Sequence, residues 1–534
     1  MLRESAPFSF PLGAWKGISR ASGWTIFGLG FVLALILALP GETVTTRLLE
    51  DLFATLDGVH RLAWGQVPSR DFHSPVGPLA YYIPGLGFWL TGSFGAALPL
   101  GMGILTVLMG ALLAHILPSR LHPALALPFA LFLLIILAVP MNLGDAVTAL
   151  SFAQFYNRVG WVALAALLVL FLTPRDKGRA DWRLDAAFAT ALTLLLIYTR
   201  ATYGIVALAF LVFMLTDNRQ RRWAAVALGG TIIVAGLVEL VWRGSLTYLA
   251  DSLQAFAAGG YLRGTPVQRL EHFLGNLADY ILLALLAGLL FWRNFRLRDL
   301  AFVLLCGVAG FWLINQNDQR WGILAIHAAA AVFAERLLRD MTGPPSQPMG
   351  PVVNPAGVQL YFFAFLFPTM VHCTIALFLH AGTAVINGGQ ALALPRLEAV
   401  RLADLWTAGE FGGSNWYLDL VRDGLIGLEG LESDPGRIAV LGGPNPNPLI
   451  LDSAPPAGDV AQMRWGATHN VAEHLAPEEM LGGVDTVMER LAAGGIGDLG
   501  AVYLPYVQDN FEVRATTRDW RIYGRAADAE PGGQ

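Results

Sequence analysis

The chain has 534 residues, of which 55% are hydrophobic and only 14% charged, with a formal net charge of −5. An ordinary soluble domain carries about 25% charged residues, so the bilayer is the expected solvent for most of this chain, whose mean hydropathy is +0.53. The basic residues are scattered through short loops, which leaves no face to track a phosphate backbone and makes nucleic acid an unexpected partner.

Trp24 to Pro40 follows Arg3, Lys16 and Arg20 and lacks a small-x-small cleavage site after it. It reads as an uncleaved first span with a cytoplasmic N-terminus, so the segment after Gly41 is exported. Further apolar runs recur at 79 to 92, 97 to 117, 123 to 140, 159 to 173, 184 to 198, 201 to 216, 223 to 242, 278 to 292, 300 to 314, 322 to 338 and 358 to 381. The basic connectors 174 to 183, 217 to 222, 293 to 299 and 335 to 357 belong in the cytoplasm by the positive-inside rule, which places the segment after 381 outside. Counting forward from the N-terminus gives the opposite side, so one run is not a full span. The candidates are 79 to 92 and the pair split at Thr199, Arg200 and Ala201, and the expected number of crossings is odd, 11 or 13. Cys306 and Cys373 lie inside apolar segments and read as core thiols.

Two long exported loops interrupt the array, 42 to 78 and 243 to 277, the second with amphipathic stretches of its own. Loops of that length usually have a function. From about 383 the composition becomes that of a soluble domain. The fold class is therefore an α-helical polytopic membrane domain over 1 to 382 and a small exported α/β domain over 383 to 534. In the latter, IAVLGG and AVYLPYV read as strands and 478 to 493 as helix.

The chemistry concentrates in residues 48 to 84. Leu49 to Trp64 reads as an amphipathic helix: Leu52, Leu56, Val59 and Ala63 form one stripe, and Glu50, Asp57 and Arg61 another. The apolar stripe is expected in the membrane surface, with the carboxylates facing the exported side. Asp71 and His73, with Arg70, follow on a Pro-bounded turn. Carboxylates clustered at an interface point to a site, while a wet helix face with an Asp57–Arg61 pair explains the same periodicity.

The acidic pair Glu50–Asp51, the helix ending at Gly65 and the turn Pro68 to Pro75 resemble the first exported loop of type C (GT-C fold) membrane glycosyltransferases, in particular the protein O-mannosyltransferase, aminoarabinose transferase and lipopolysaccharide-core transferase clan. The order here is Glu-Asp where many relatives have Asp-Glu. The resemblance covers about 40 residues closely and implies a fold of 11 to 13 membrane helices. It also implies transfer, with inversion, of a sugar from a polyprenyl-phosphate donor to a lipid, glycan or protein acceptor in the bacterial inner membrane. By spacing to Gly65 it places the general base at Asp51, with Asp57 as the competing candidate. A leaving phosphate requires fixed positive charge, for which Arg158, Arg200, Arg263 and Arg320 are the candidates. Arg200 stands out, because an arginine between two apolar runs is costly unless it snorkels or meets an anion. The reading assigns no cofactor; a divalent cation with Asp51, Asp57, Asp71 and His73 as ligands stays open. The competing readings are a lipid or solute transporter, which should show repeated broken helices, and a non-catalytic subunit that keeps the fold.

Overall fold

The computed structural model of the protein describes residues 12–175, 181–260, 263–316, 319, 321–342, 354–461, 463–491 and 496–526. Lipid offers backbone groups no hydrogen bonds, so a chain this apolar satisfies them within helices, and 66% of the described residues are helical. The order begins with α1 (Leu12–Ala38), β1 (Thr43–Thr45) and α2 (Leu49–Ala63). There follow α3 (Leu79–Thr91), α4 (Phe94–Arg120), α5 (Pro123–Ala138), α6 (Phe155–Val169), α7 (Trp182–Thr199), α8 (Ala201–Met214) and α9 (Arg221–Trp242). The second loop holds α10 (Ser245–Gly259) and α11 (Pro266–Gly275), and α12 (Leu277–Asn294), α13 (Leu297–Gln316), α14 (Leu324–Thr342) and α15 (Pro355–Val385) complete the array.

Among the described residues, six helices are long and apolar enough to cross a membrane, lying in α1, α4, α9, α12, α13 and α15; α5, α6 and α8 are shorter apolar helices. Of the short ones, α6 is central. Every residue of α6 from Val159 to Val169 is buried, whereas Val241 of α9, Trp292 of α12 and Leu360 of α15 are 82%, 72% and 68% exposed. Outward faces of that kind suit lipid, and the protein is a helical membrane protein. Glycines let α1 and α4 approach closely: a Cβ on Gly30 would lie 3.2 Å from the Thr106 carbonyl oxygen. At the end of the bundle that carries the arginine-rich connectors, ion pairs take over. Arg120 meets Asp185 at 2.6 Å, Arg336 meets Asp299 at 2.8 Å, and the fully buried Glu335 receives Arg175 at 2.5 Å, Arg339 at 2.7 Å and the His122 N–H at 2.7 Å.

Beyond α15 the chain forms β2 (Gln390–Ala391), β3 (Val400–Leu402), α16 (Ala408–Glu429), β4 (Ile438–Leu441), α17 (Asn447–Leu451), α18 (Pro477–Leu481), β5 (Thr486–Arg490), α19 (Gly497–Asn510), β6 (Phe511–Thr516) and β7 (Trp520–Arg525). The sheet order is β4-β5-β7-β6, with β4 and β5 parallel and the other pairs antiparallel. A second sheet, β1-β3-β2, pairs β1 in parallel with β3. Because β1 directly follows α1 and β3 follows α15, the two ends meet on one face of the molecule.

Two elements differ from the sequence reading. AVYLPYV is the helix α19, whose Leu499, Tyr503 and Val507 recur at helical spacing and are buried; its aromatic and branched composition imitates a strand. The segment 478 to 493 is helical only through Leu481, where Gly482 and Gly483 follow, and then supplies β5 with its buried Val487 and Met488.

Candidate active site

The helix α2 is not a surface helix. Twelve of its residues are buried, including Asp57, His60 and Arg61, because the C-terminal region lies over the face expected to be wet. The Arg61 guanidinium sits 2.8 Å from Asp57 through Nε and 2.7 and 2.8 Å from the two Asp459 oxygens through Nη1 and Nη2, and Nη1 also donates to the Pro456 carbonyl at 3.0 Å. Burial raises the Asp57 pKa to about 6 against the lowering effect of Arg61. For Arg61 burial works the other way, and the Asp459 and Asp57 carboxylates outweigh it and keep the guanidinium charged. Asp57, the rival base, is thus committed to holding α2 against the C-terminal region. Burial lowers the His60 pKa to about 4, so the neutral ring donates from Nε2 to the Ser453 carbonyl at 2.9 Å.

The turn after α2 is likewise structural. Asp71 Oδ2 accepts the Val67 N–H at 2.7 Å and pairs with Arg70 at 3.0 Å. His73 lies 2.7 Å from Asp251 of α10 through Nδ1 and 3.2 Å from Glu479 of α18 through Nε2, and its backbone N–H donates to the Asp459 carbonyl at 2.8 Å. The Asp251 hydrogen bond raises the His73 pKa, against partial burial and with help from Glu479. The turn therefore ties the first loop to both the second loop and the C-terminal region.

Glu50 and Asp51 face elsewhere. They occupy the first turn of α2, next to Leu48 in the left-handed conformation (φ 53°), where the helix dipole favours carboxylates. They line a cleft with about 990 Å³ of open space, which also receives Arg200, Arg263 and Arg464. Arg200 enters from the break between α7 and α8, where its backbone is extended (φ −165°, ψ 130°). Gly77 braces that break: its N–H donates to the Thr199 carbonyl at 3.1 Å, and a Cβ there would lie 2.0 Å from the Tyr198 carbonyl oxygen. The Arg200 guanidinium donates to Asn157 Oδ1 at 3.1 Å and to the Gln316 carbonyl at 3.0 Å and lies 5.6 Å from the centre of the Tyr156 ring. Arg464 Nη2 is 2.5 Å from Asp51 Oδ1, while the buried Asp51 Oδ2 has no partner among the described residues. In the same cleft, loss of bulk water and then the Asp51 charge raise the Glu50 pKa, against Arg464 and Arg490.

Of the residues expected at a site, Glu50, Asp51, Arg200 and Arg263 share this cleft. Arg158 does not line it; it is buried in a small neighbouring pocket with Asn142, Asn157 and Gln319 and donates to the Met141 carbonyl at 2.9 Å. Arg320 lies outside the described residues. Asp51, Asp57, Asp71 and His73 go to separate partners, and among the described residues no three His, Cys, Asp or Glu side chains converge to hold a metal ion. Arg464 was not legible as a site residue, because a lone arginine in a polar stretch (MRWGATH) carries no local signal; only the fold brings it to Asp51.

A carboxylate with one free oxygen beside several guanidinium groups can deprotonate a hydroxyl and stabilise a phosphate in one place. Comparisons with protein-family models, with curated proteins and with solved structures find no match to this chain.

Proposed function

We propose that the protein is an integral-membrane glycosyltransferase that moves a sugar from a polyprenyl-phosphate donor to an acceptor on the exported face of the bacterial inner membrane, with inversion at the anomeric carbon. The observation that carries this reading is the single cleft holding Glu50 and Asp51 together with Arg200, Arg263 and Arg464. The cleft wall formed by Ser252, Ala255 and Phe256 belongs to α10, whose other edge exposes Leu246, Leu249 and Leu253. A prenyl tail would follow that apolar edge while its phosphate enters the cleft.

Asp51 removes the proton of an acceptor hydroxyl. The hydroxyl oxygen forms a bond to the sugar C1 as the C1–O bond to phosphate breaks, and the electron pair leaves with the phosphate. The arginines take up the charge developing on that leaving group. Before the acceptor arrives, Arg464 holds the Asp51 carboxylate in place.

The proposed topology has eleven crossings. If α3, the shortest apolar helix at 13 residues and interrupted by Pro84, does not span, the remaining eleven membrane helices put every basic connector in the cytoplasm. The 42 to 78 loop, the 243 to 277 loop and the C-terminal region then share the exported side. The pairing of β1 with β3 supports this.

The test is lipid analysis of a deletion strain complemented with the wild type or with Asp51→Asn. A polyprenyl-phosphate sugar should accumulate in the Asp51→Asn strain and be consumed with the wild type; equal pools would contradict the proposal.

A further inference from the structure

Glu50 and Asp51 have a second open side. Across them from the arginine cleft lies another, with about 1460 Å³ of open space, between the first turn of α2 and the C-terminal region; Glu50, Asp51, Met463 and Arg464 line both. The acidic pair therefore stands in the wall between two clefts. The arginine cleft is filled by the donor phosphate in the transferase reading, so the second one is where an acceptor would reach Asp51.

Its lining is specific. Trp416 of α16 is 43% exposed and is braced by Arg490, whose guanidinium carbon lies 4.9 Å from the ring centre. Trp465 packs edge-on against Tyr503 at 6.4 Å between centroids and lines the cleft as well. Tyr417 contributes a buried hydroxyl without a partner among the described residues. Two indoles held from behind, two carboxylates in the same cleft and an unused hydroxyl match a pyranose, whose C–H face packs on an aromatic ring while its hydroxyls hydrogen-bond at the edge. Charge argues against an anionic acceptor. Arg47 is already engaged by two carboxylates, Asp145 at 3.0 Å and Glu410 at 3.1 Å, and Arg464 by Asp51, so the cations that line this cleft are already paired with carboxylates.

We infer that this cleft binds a neutral carbohydrate chain and that Trp416 and Trp465 are its stacking platforms. The acceptor is then a glycan rather than a peptide, an assignment that rests on the transferase reading for its role but not for its binding.

The experiment uses the intact protein in lipid nanodiscs. Maltohexaose, cellohexaose, mannohexaose, chitohexaose and a Ser/Thr-rich peptide are tested by saturation-transfer NMR, and undecaprenyl phosphate binding is scored in parallel by native mass spectrometry. At least one neutral hexasaccharide should bind, Trp416→Ala should weaken it roughly tenfold, equivalent to the ~1.4 kcal/mol of a stacked ring, and Trp416→Phe should restore most of the loss. Undecaprenyl phosphate binding should be unchanged in Trp416→Ala, which also reports that the variant is folded. Binding of the peptide but of no sugar, or sugar binding unchanged in Trp416→Ala and in Trp465→Ala, would overturn the inference. Sugar binding by a wild type that ignores undecaprenyl phosphate would remove the transferase reading and leave the glycan cleft standing.

Discussion

Asp51 and Asp57 share one helix and differ in everything around them. Asp51 lines the cleft and keeps one oxygen without a partner, whereas Asp57 is 1% exposed and bound to Arg61. Asp51→Asn keeps the shape and removes the proposed base, so turnover should fall by the ~10²- to 10⁴-fold typical of a lost general base, with little change in thermal stability. Asp57→Asn should do the reverse, costing roughly 3 kcal/mol by breaking a buried ion pair while leaving donor turnover nearly intact in the folded fraction. Thermal unfolding and a turnover assay on the same preparations separate the two. The acidic pair and Arg200 were legible in the sequence because charge amid apolar residues is anomalous there. Their distinction from Asp57 was not, since what decides it is Asp459, some 400 residues away in the chain.

At the scale of elements, the α7–α8 break and the 68 to 75 turn position the site. Gly77→Ala places a methyl group against the Tyr198 carbonyl, so the turn or the break must shift and carry Arg200 with it. A misplaced anchor should raise the donor KM more than it lowers kcat, measured by steady-state kinetics. The His73 contact is expected to respond to pH. Its folded pKa is raised by Asp251 and then Glu479, so its contribution to stability is complete below the unfolded value of about 6.5 and is lost as pH rises through the folded value. Asp251 of α10, Glu479 of α18 and the nearby His469 are the titratable groups around it. Hydrogen exchange in α10 should therefore speed up as pH rises above ~6.5, beyond the intrinsic rate change, and this excess should disappear in His73→Ala. The periodic runs announced the membrane helices, but α19 and β5 were misread because short soluble-domain elements take their state from the sheet they join.

For the whole molecule, the apolar array and its basic connectors were visible in the composition; the cover over α2 was not, because it depends on the C-terminal region folding back onto the first loop. The proposed sidedness is checked by a periplasm-dependent reporter fused after residue 400, which should be active, while fusions in 174 to 183 should be silent. The central claim is that Arg200 and its neighbours hold a lipid phosphate beside Asp51. Native mass spectrometry of the protein from nanodiscs containing undecaprenyl phosphate measures this directly. The wild type and Asp51→Asn should retain the lipid and Arg200→Ala should lose most of it; equal retention by all three, or none by the wild type, would contradict the assignment.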